Sequence, residues 1–110
     1  MMDAITEMIE RSGIMIATVS HAGDGKIHPQ FVYHGTNPQE VKKVKEVESE
    51  LYKLTIALGG TLTGEHGVGM SKAGYMDLEH DSVFMKVMND LKILFDPNTI
   101  LNPGKLGLDV

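Results

Sequence analysis

Apolar residues recur every three or four positions in three stretches of the chain, which is the spacing of one face of an α-helix. The first stretch, residues 2–12, stops at Gly13, and the last, residues 81–95, stops at Asp96-Pro97. The central stretch follows Asn37, a predicted N-cap with Glu40 in the capping-box position, and it stops at Gly59-Gly60. The pattern therefore predicts three helices, and in the last of them the predicted inward residues are Phe84, Val87, Met88, Leu91, Leu94 and Phe95.

Two short stretches between the first and second helices have the composition of β-strands. Residues 14–19 are mostly β-branched and apolar on both faces, which favours a strand covered on both sides. A second strand is predicted from Lys26 to about His34. Because a two-stranded sheet is marginal alone, either the chain is a piece of a larger domain or two copies pair edge to edge, and the two explanations are compatible. We expect one α+β domain over residues 1–110, a small antiparallel sheet packed by helices.

The composition narrows the class of protein. The 110 residues are 42% hydrophobic and 23% charged, as in an average globular domain, with a formal net charge of −5. This charge argues against a nucleic-acid partner, which usually meets a basic surface. Cysteine is absent, so any metal has to be bound by histidines and carboxylates. No apolar run approaches the roughly 20 residues that span a bilayer, and the acidic start is unlike a signal peptide, so we expect a cytoplasmic chain.

Two histidines flank the predicted turn between the strands. His21 and His28 are separated by six residues, and folding of the turn can direct both imidazoles toward one point. Imidazole and carboxylate ligands suit zinc or a similar divalent ion. Histidines close to a turn are nevertheless more often hydrogen-bonded surface or loop residues, so the pair alone favours that interpretation over a metal site.

A second candidate is the segment of residues 59–69, in which five glycines surround Glu65 and His66. Glycine lets the backbone approach a ligand closely. Glu65 could supply a third, anionic metal ligand, and His66 could act as a general base. A flexible surface connection with a solvated Glu-His pair explains the local sequence equally well. The glycines match neither a Walker A loop nor a dinucleotide-binding fingerprint.

Three segments occur together in a fixed order: residues 21–28 with the pattern H-x-G-D-G-x-x-H, residues 59–69, and residues 101–105 with the sequence LNPGK. Together they closely resemble the C-terminal end of the FAD-linked oxidases of the vanillyl-alcohol oxidase type, particularly the FAD-linked subunit of glycolate oxidase and D-lactate or D-2-hydroxyglutarate dehydrogenases. The resemblance covers about residues 14–106. It implies a ferredoxin-like partial domain, the C-terminal portion of a substrate or cap domain, without the FAD-binding domain.

The resemblance also implies the chemistry of a site. His21, His28 and Glu65 match ligands of a divalent metal, usually zinc, beside the flavin. His66 matches the residue proposed to take the hydroxyl proton of a 2-hydroxy acid while hydride passes to flavin N5, and Asn102 matches an asparagine near the flavin. The family commonly has Asn where Lys26 and Gln30 stand here, so contacts of those two side chains near the flavin or substrate are not carried over.

We therefore expect the C-terminal part of an FAD-dependent enzyme that oxidises a small 2-hydroxy acid, such as glycolate or D-lactate. Its implied partners are the substrate, its own FAD-binding domain in the full-length protein, and further oxidase subunits through which it would associate peripherally with a membrane. The isolated chain is expected to be an inactive homodimer that binds no flavin tightly. The alternative is a free-standing small metal-binding or dimerisation module without redox activity.

Overall fold

The computed structural model describes residues 1–108, which form four α-helices, a short 3₁₀ helix and a two-stranded antiparallel sheet, and this confirms the α+β class. The elements divide between two compact units, one up to Gly59 and one from Gly60 onward. None of the helices in residues 1–108 is both long and apolar enough to cross a membrane. In chain order the elements are α1 (Met2–Ser12), β1 (Met15–His21), β2 (Lys26–Val32), α2 (Pro38–Ala57), the 3₁₀ helix (Ala73–Tyr75), α3 (Met76–Glu79) and α4 (Ser82–Phe95).

The start of α2 has the predicted N-cap at Asn37, but Glu40 accepts hydrogen bonds from other groups than a capping box requires. The side-chain oxygen of Asn37 accepts the N–H groups of Gln39 and Glu40, as an N-cap does. In a capping box, Glu40 would accept the N–H of Asn37, but that N–H donates to the carbonyl of His34. Glu40 instead accepts the N–H of His34 and the side-chain amide of Asn37, each at 2.8 Å. The carboxylate therefore ties the end of the hairpin segment to the helix.

The core of the first unit lies between the two helices and one face of the hairpin. Its most buried residues are at most 7% exposed, and burial of such side chains is the main source of stability in a small unit. The hairpin contributes its inner face to this cluster. The buried residues are Ile5 and Met8 of α1 with Val47 and Leu51 of α2, and the hairpin residues packed on them are Ile16, Ile27 and Phe31.

The prediction that the first strand is covered on both sides is wrong. Met15 is 71% exposed and Val19 is 57% exposed, whereas the alternate residue Ile16 is half-buried. The reason is that α1 and α2 both pack on the inner face of the hairpin, which leaves the outer face without a helix from this unit. The β-branched composition identified a strand correctly but did not determine how many of its faces are buried.

The predicted inward face of the last helix is also wrong at most positions. α4 runs from Ser82 to Phe95 and is capped by Asp81, whose carboxylate accepts the N–H of Phe84 at 2.8 Å. Its half-buried residues are Met85, Met88, Asn89 and Lys92, so only Met88 was predicted correctly. The apolar stripe is therefore left outside, because the periodicity shows where apolar residues lie but not what covers them. The exposed members of the predicted face are Phe84, Val87, Leu91, Leu94 and Phe95.

The second unit has a smaller set of buried apolar residues, Leu62, Val68 and Met76. Met76 is the first residue of α3, a helix of four residues that is too short to show a helical period in the sequence.

The ferredoxin-like fold has the element order β-α-β-β-α-β and therefore four strands, whereas residues 1–108 contain two strands. The ferredoxin-like assignment thus stays a prediction.

Candidate active site

The hairpin brings His21 and His28 together on its outer face. His28 pairs with Val19 across the two strands, and His21 lies two residues beyond Val19 on the same face. The two histidines are therefore diagonal neighbours, with ring centroids 5.3 Å apart and the rings at 85° to each other. Diagonal side chains in antiparallel pairs are within reach of one another, so the register of the hairpin is what sets this approach.

The turn between the strands holds this register. The N–H of Asp24 donates to the carbonyl of His21 at 3.0 Å, and Gly25 adopts φ 68, a left-handed conformation that favours glycine. His21 is exposed, and His28 is half-buried with its Nε2 atom buried. Two imidazoles at this separation offer nitrogen donors of the type that zinc and similar ions prefer. Their role as metal ligands stays a prediction.

In the second unit, Glu65 and His66 lie at the exposed tip of the glycine-rich loop. The Oε1 atom of Glu65 is 3.4 Å from Nε2 of His66. The hydroxyl of Thr63 donates to the carbonyl of Gly67 at 3.2 Å, which closes the tip around the pair. Gly67 has φ 78, so the turn after His66 requires a residue that adopts the left-handed region readily. The tip can present a carboxylate and an imidazole side by side.

The base of this loop is held at Leu62, a feature that was not predicted from the sequence. The side chain of Leu62 is 3% exposed, its N–H donates to Oε2 of Glu79 at 2.9 Å, and its carbonyl accepts from Nζ of Lys72 at 2.7 Å. Burial raises the pKa of Glu79, but hydrogen bonds from Leu62 N–H and the Thr61 side chain, together with the charge of His80, outweigh it and hold that pKa below its ordinary value. Glu79 therefore accepts these bonds as a carboxylate at neutral pH.

Asn102 lies in the loop after α4, exposed and at φ 47, a conformation that asparagine tolerates better than most residues. Asp96, which the sequence indicated only as a helix stop, fixes the approach to it. Asp96 is 4% exposed, and its carboxylate accepts the N–H groups of Ile100 and Leu101 and pairs with Lys92. The hydrogen bond from Lys92 is the main cause that holds the pKa of Asp96 below its ordinary value.

The residues described above lie in a segment that known proteins share. The family described as FAD linked oxidases, C-terminal domain, matches residues 1–106. The chain belongs to this family. The family prediction made from residues 21–28, 59–69 and 101–105 is therefore confirmed.

Named relatives have similar sequences over nearly the whole chain. The glycolate oxidase subunit GlcD of Bacillus subtilis is 42% identical over 106 residues, covering 96% of the chain and 23% of the relative. GlcD of Escherichia coli strain K12 is 32% identical, covering 94% of the chain and 21% of the relative. The D-lactate dehydrogenase of Archaeoglobus fulgidus is 40% identical, covering 91% of the chain and 22% of the relative. The chain thus spans between a fifth and a quarter of the length of these relatives.

Proposed function

We propose that this chain is the C-terminal part of an FAD-dependent enzyme that oxidises a small 2-hydroxy acid. The names of the relatives support the class, because glycolate and D-lactate both carry a hydroxyl on the carbon next to a carboxylate. The observation that carries the proposal is the edge-to-face approach of His21 and His28 on the outer face of the hairpin. Two imidazoles held by the register of two strands form a site that needs little rearrangement to bind an ion.

The proposed metal ligands are His21, His28 and Glu65. Two imidazoles and one carboxylate make up a donor set that catalytic zinc sites use, and such sites keep further positions for substrate. The observed nitrogen donors of the hairpin fit this group. A bound divalent ion would supply a Lewis acid for the substrate carboxylate and hydroxyl, which favours loss of the hydroxyl proton. The hairpin turn contributes by holding both imidazoles in place before substrate arrives.

The proposed general base is His66. A neutral imidazole can accept the hydroxyl proton at a ring nitrogen, and the carboxylate of Glu65 at 3.4 Å then lies beside the imidazolium that forms. Bound flavin supplies the acceptor for the hydride that leaves the α-carbon. Asn102, exposed on a loop fixed by Asp96, fits a polar contact with that cofactor. The chain's own residues thus orient the substrate and remove its proton.

The proposed partners are the FAD-binding part of the full-length protein and, in the complete enzyme, further subunits. The outer face of the hairpin and the outward stripe of α4 expose large apolar residues, among them Met15 at 71% and Phe95 at 78%. Contiguous exposed apolar surfaces mark interaction sites.

The second candidate function is that of a small module that dimerises without redox activity. It is favoured by the two-stranded sheet of residues 1–108, in which each strand leaves one edge for pairing with another copy.

Zinc titration of the metal-free chain by calorimetry tests the proposal. We expect one zinc ion per chain with a dissociation constant of about 1 µM or less. His28→Ala should weaken binding by at least about tenfold, because it removes a ligand. His34→Ala is the matched control, since His34 is an exposed histidine beyond the end of β2, and we expect its affinity to equal that of the unchanged chain. Absence of zinc binding in the unchanged chain would contradict the metal assignment.

A further inference from the structure

We infer that Glu79 and Lys72 are positioning residues that fix the loop carrying Glu65 and His66 by holding Leu62 through both of its backbone polar groups. The inference deepens the proposed function and rests on it for the chemical roles of Glu65 and His66. The two hydrogen bonds that hold Leu62, here called the Leu62 clamp, join residues of the second unit only.

Leu62 is restrained in three ways. Glu79 Oε2 accepts its N–H at 2.9 Å, Lys72 Nζ donates to its carbonyl at 2.7 Å, and its side chain is buried. Both hydrogen bonds involve a charged side chain, and charge-assisted bonds are stronger than bonds between neutral groups. The two bonds act on opposite sides of one residue, so they fix its orientation as well as its place.

The loop needs such restraint because its own glycine-rich sequence supplies little conformational restraint. Five of the eleven residues from 59 to 69 are glycines, and glycine loses more conformational freedom on ordering than any other residue. The order of the tip therefore has to come from contacts with better-fixed parts of the unit. Leu62 stands three residues before Glu65, so its restraint acts at the point where the tip begins.

Lys72 restrains the other end of the tip as well. Its backbone N–H donates to the carbonyl of Val68 at 3.2 Å, and Val68 is buried. The side chain and the backbone of Lys72 thus hold the residues on both sides of the tip, Leu62 before it and Val68 after it. Between Leu62 and Val68, the hydroxyl of Thr63 also bonds to the carbonyl of Gly67. The segment that carries Glu65 and His66 is therefore held both by this bond and by the bonds of Lys72.

The test uses the full 110-residue chain labelled with ¹⁵N. Glu79→Ala should speed amide exchange of Leu62 and lower the heteronuclear NOE of Glu65 and His66, whereas Glu79→Gln, which keeps an oxygen acceptor, should restore most of both. Lys72→Met should lower the same NOE values. The matched controls are Asp77→Asn, an exposed carboxylate on the same helix α3, and Lys86→Met, an exposed lysine on α4, and neither should change the loop.

Zinc affinity, measured on the same samples, separates positioning from a merely structural role. We expect Glu79→Ala to weaken zinc binding by about tenfold, the lower end of the range for residues that orient metal ligands. Unchanged Leu62 exchange and loop NOE in Glu79→Ala would overturn the inference, as would a disordered loop that still binds zinc with full affinity. If Glu79→Ala fails to fold, Glu79→Gln and Lys72→Met decide through the same readouts. If the unchanged chain binds no zinc, the metal assignment fails, while the exchange and NOE data still decide the clamp.

Discussion

The carboxylate of Asp96 accepts the backbone N–H of Leu101 at 2.9 Å, so the end of α4 is bonded directly to the residue before Asn102. The same carboxylate accepts the N–H of Ile100 at 3.1 Å. Because Asp96 is buried and paired with Lys92, the loop from Asp96 to Leu101 is organised around one anion. A side chain at the end of a helix thus sets the path of the backbone toward the predicted flavin contact.

We predict that Asp96→Ala destabilises the chain more than Asp90→Ala does. Both carboxylates pair with a lysine four residues earlier, on α4. Asp90 is exposed and accepts a hydrogen bond from Lys86, whereas Asp96 is buried and also accepts two loop N–H groups. Exposed i,i+4 pairs contribute little, whereas loss of Asp96 leaves two loop N–H groups without their acceptor. Urea unfolding of the two variants measures the difference. Equal losses would mean that the loop bonds add nothing to stability.

We predict that stability falls as the pH is lowered below about 5. The hydrogen bond from His34 N–H holds the pKa of Glu40 below its ordinary value, and Asp96 and Glu79 are lowered as described above. The unfolded chain therefore binds more protons than the folded chain near the ordinary values of 4.5 for Glu and 3.8 for Asp, so stability is fully present above these values and is lost as pH falls through the folded-state pKa values.

Urea midpoints between pH 7 and pH 3 measure this loss. A variant with Asp96→Asn should show a flatter dependence, because its side chain cannot take up the proton. A dependence as steep as that of the unchanged chain would show that Asp96 contributes no acid sensitivity.

Two glycines in the C-terminal loop provide a matched pair for steric crowding. Gly104 and Gly107 have φ 73 and φ 69, so alanine at either is strained by roughly 1–2 kcal/mol. A Cβ at Gly107 would stand 2.8 Å from the carbonyl oxygen of Ala73, whereas a Cβ at Gly104 would meet nothing within 4 Å. We predict that Gly107→Ala lowers the unfolding free energy by about 1–3 kcal/mol more than Gly104→Ala, the usual cost of overpacking. Chemical denaturation of both variants checks this, and equal effects would show that the loop moves away from Ala73 without cost.

Local signals predicted much of the fold. Gly13 ends α1 in the left-handed conformation and Asn37 caps α2, because both features depend on residues within one turn of the chain. The approach of His21 to His28 could also be predicted, since a short turn determines which residues of a hairpin meet. These features need no knowledge of distant residues.

The roles of Glu79 and Lys72 could not be predicted in the same way. Their bonds to Leu62 join residues 17 and 10 positions apart, and no periodic pattern indicates which backbone group a charged side chain will meet. A charged residue near a glycine-rich segment looks the same in sequence whether it is solvated or holds the loop. For the same reason Asp96 was recognised as a helix stop and not as the centre of its loop.

The orientation of α4 is the sharpest difference between sequence and structure, and two substitutions test it. Leu94 belongs to the face predicted to be inward and is 70% exposed, whereas Met88 is half-buried. We predict that Leu94→Lys changes the unfolding free energy by no more than about 0.5 kcal/mol, as for a surface substitution, and that Met88→Lys lowers it by about 1–3 kcal/mol. Thermal and urea unfolding at a concentration where the chain is monomeric measure both, because self-association through the outward stripe would add its own stabilisation. If Leu94→Lys destabilised the monomer as strongly as Met88→Lys, the apolar stripe of α4 would have to face the interior, as its periodicity first suggested.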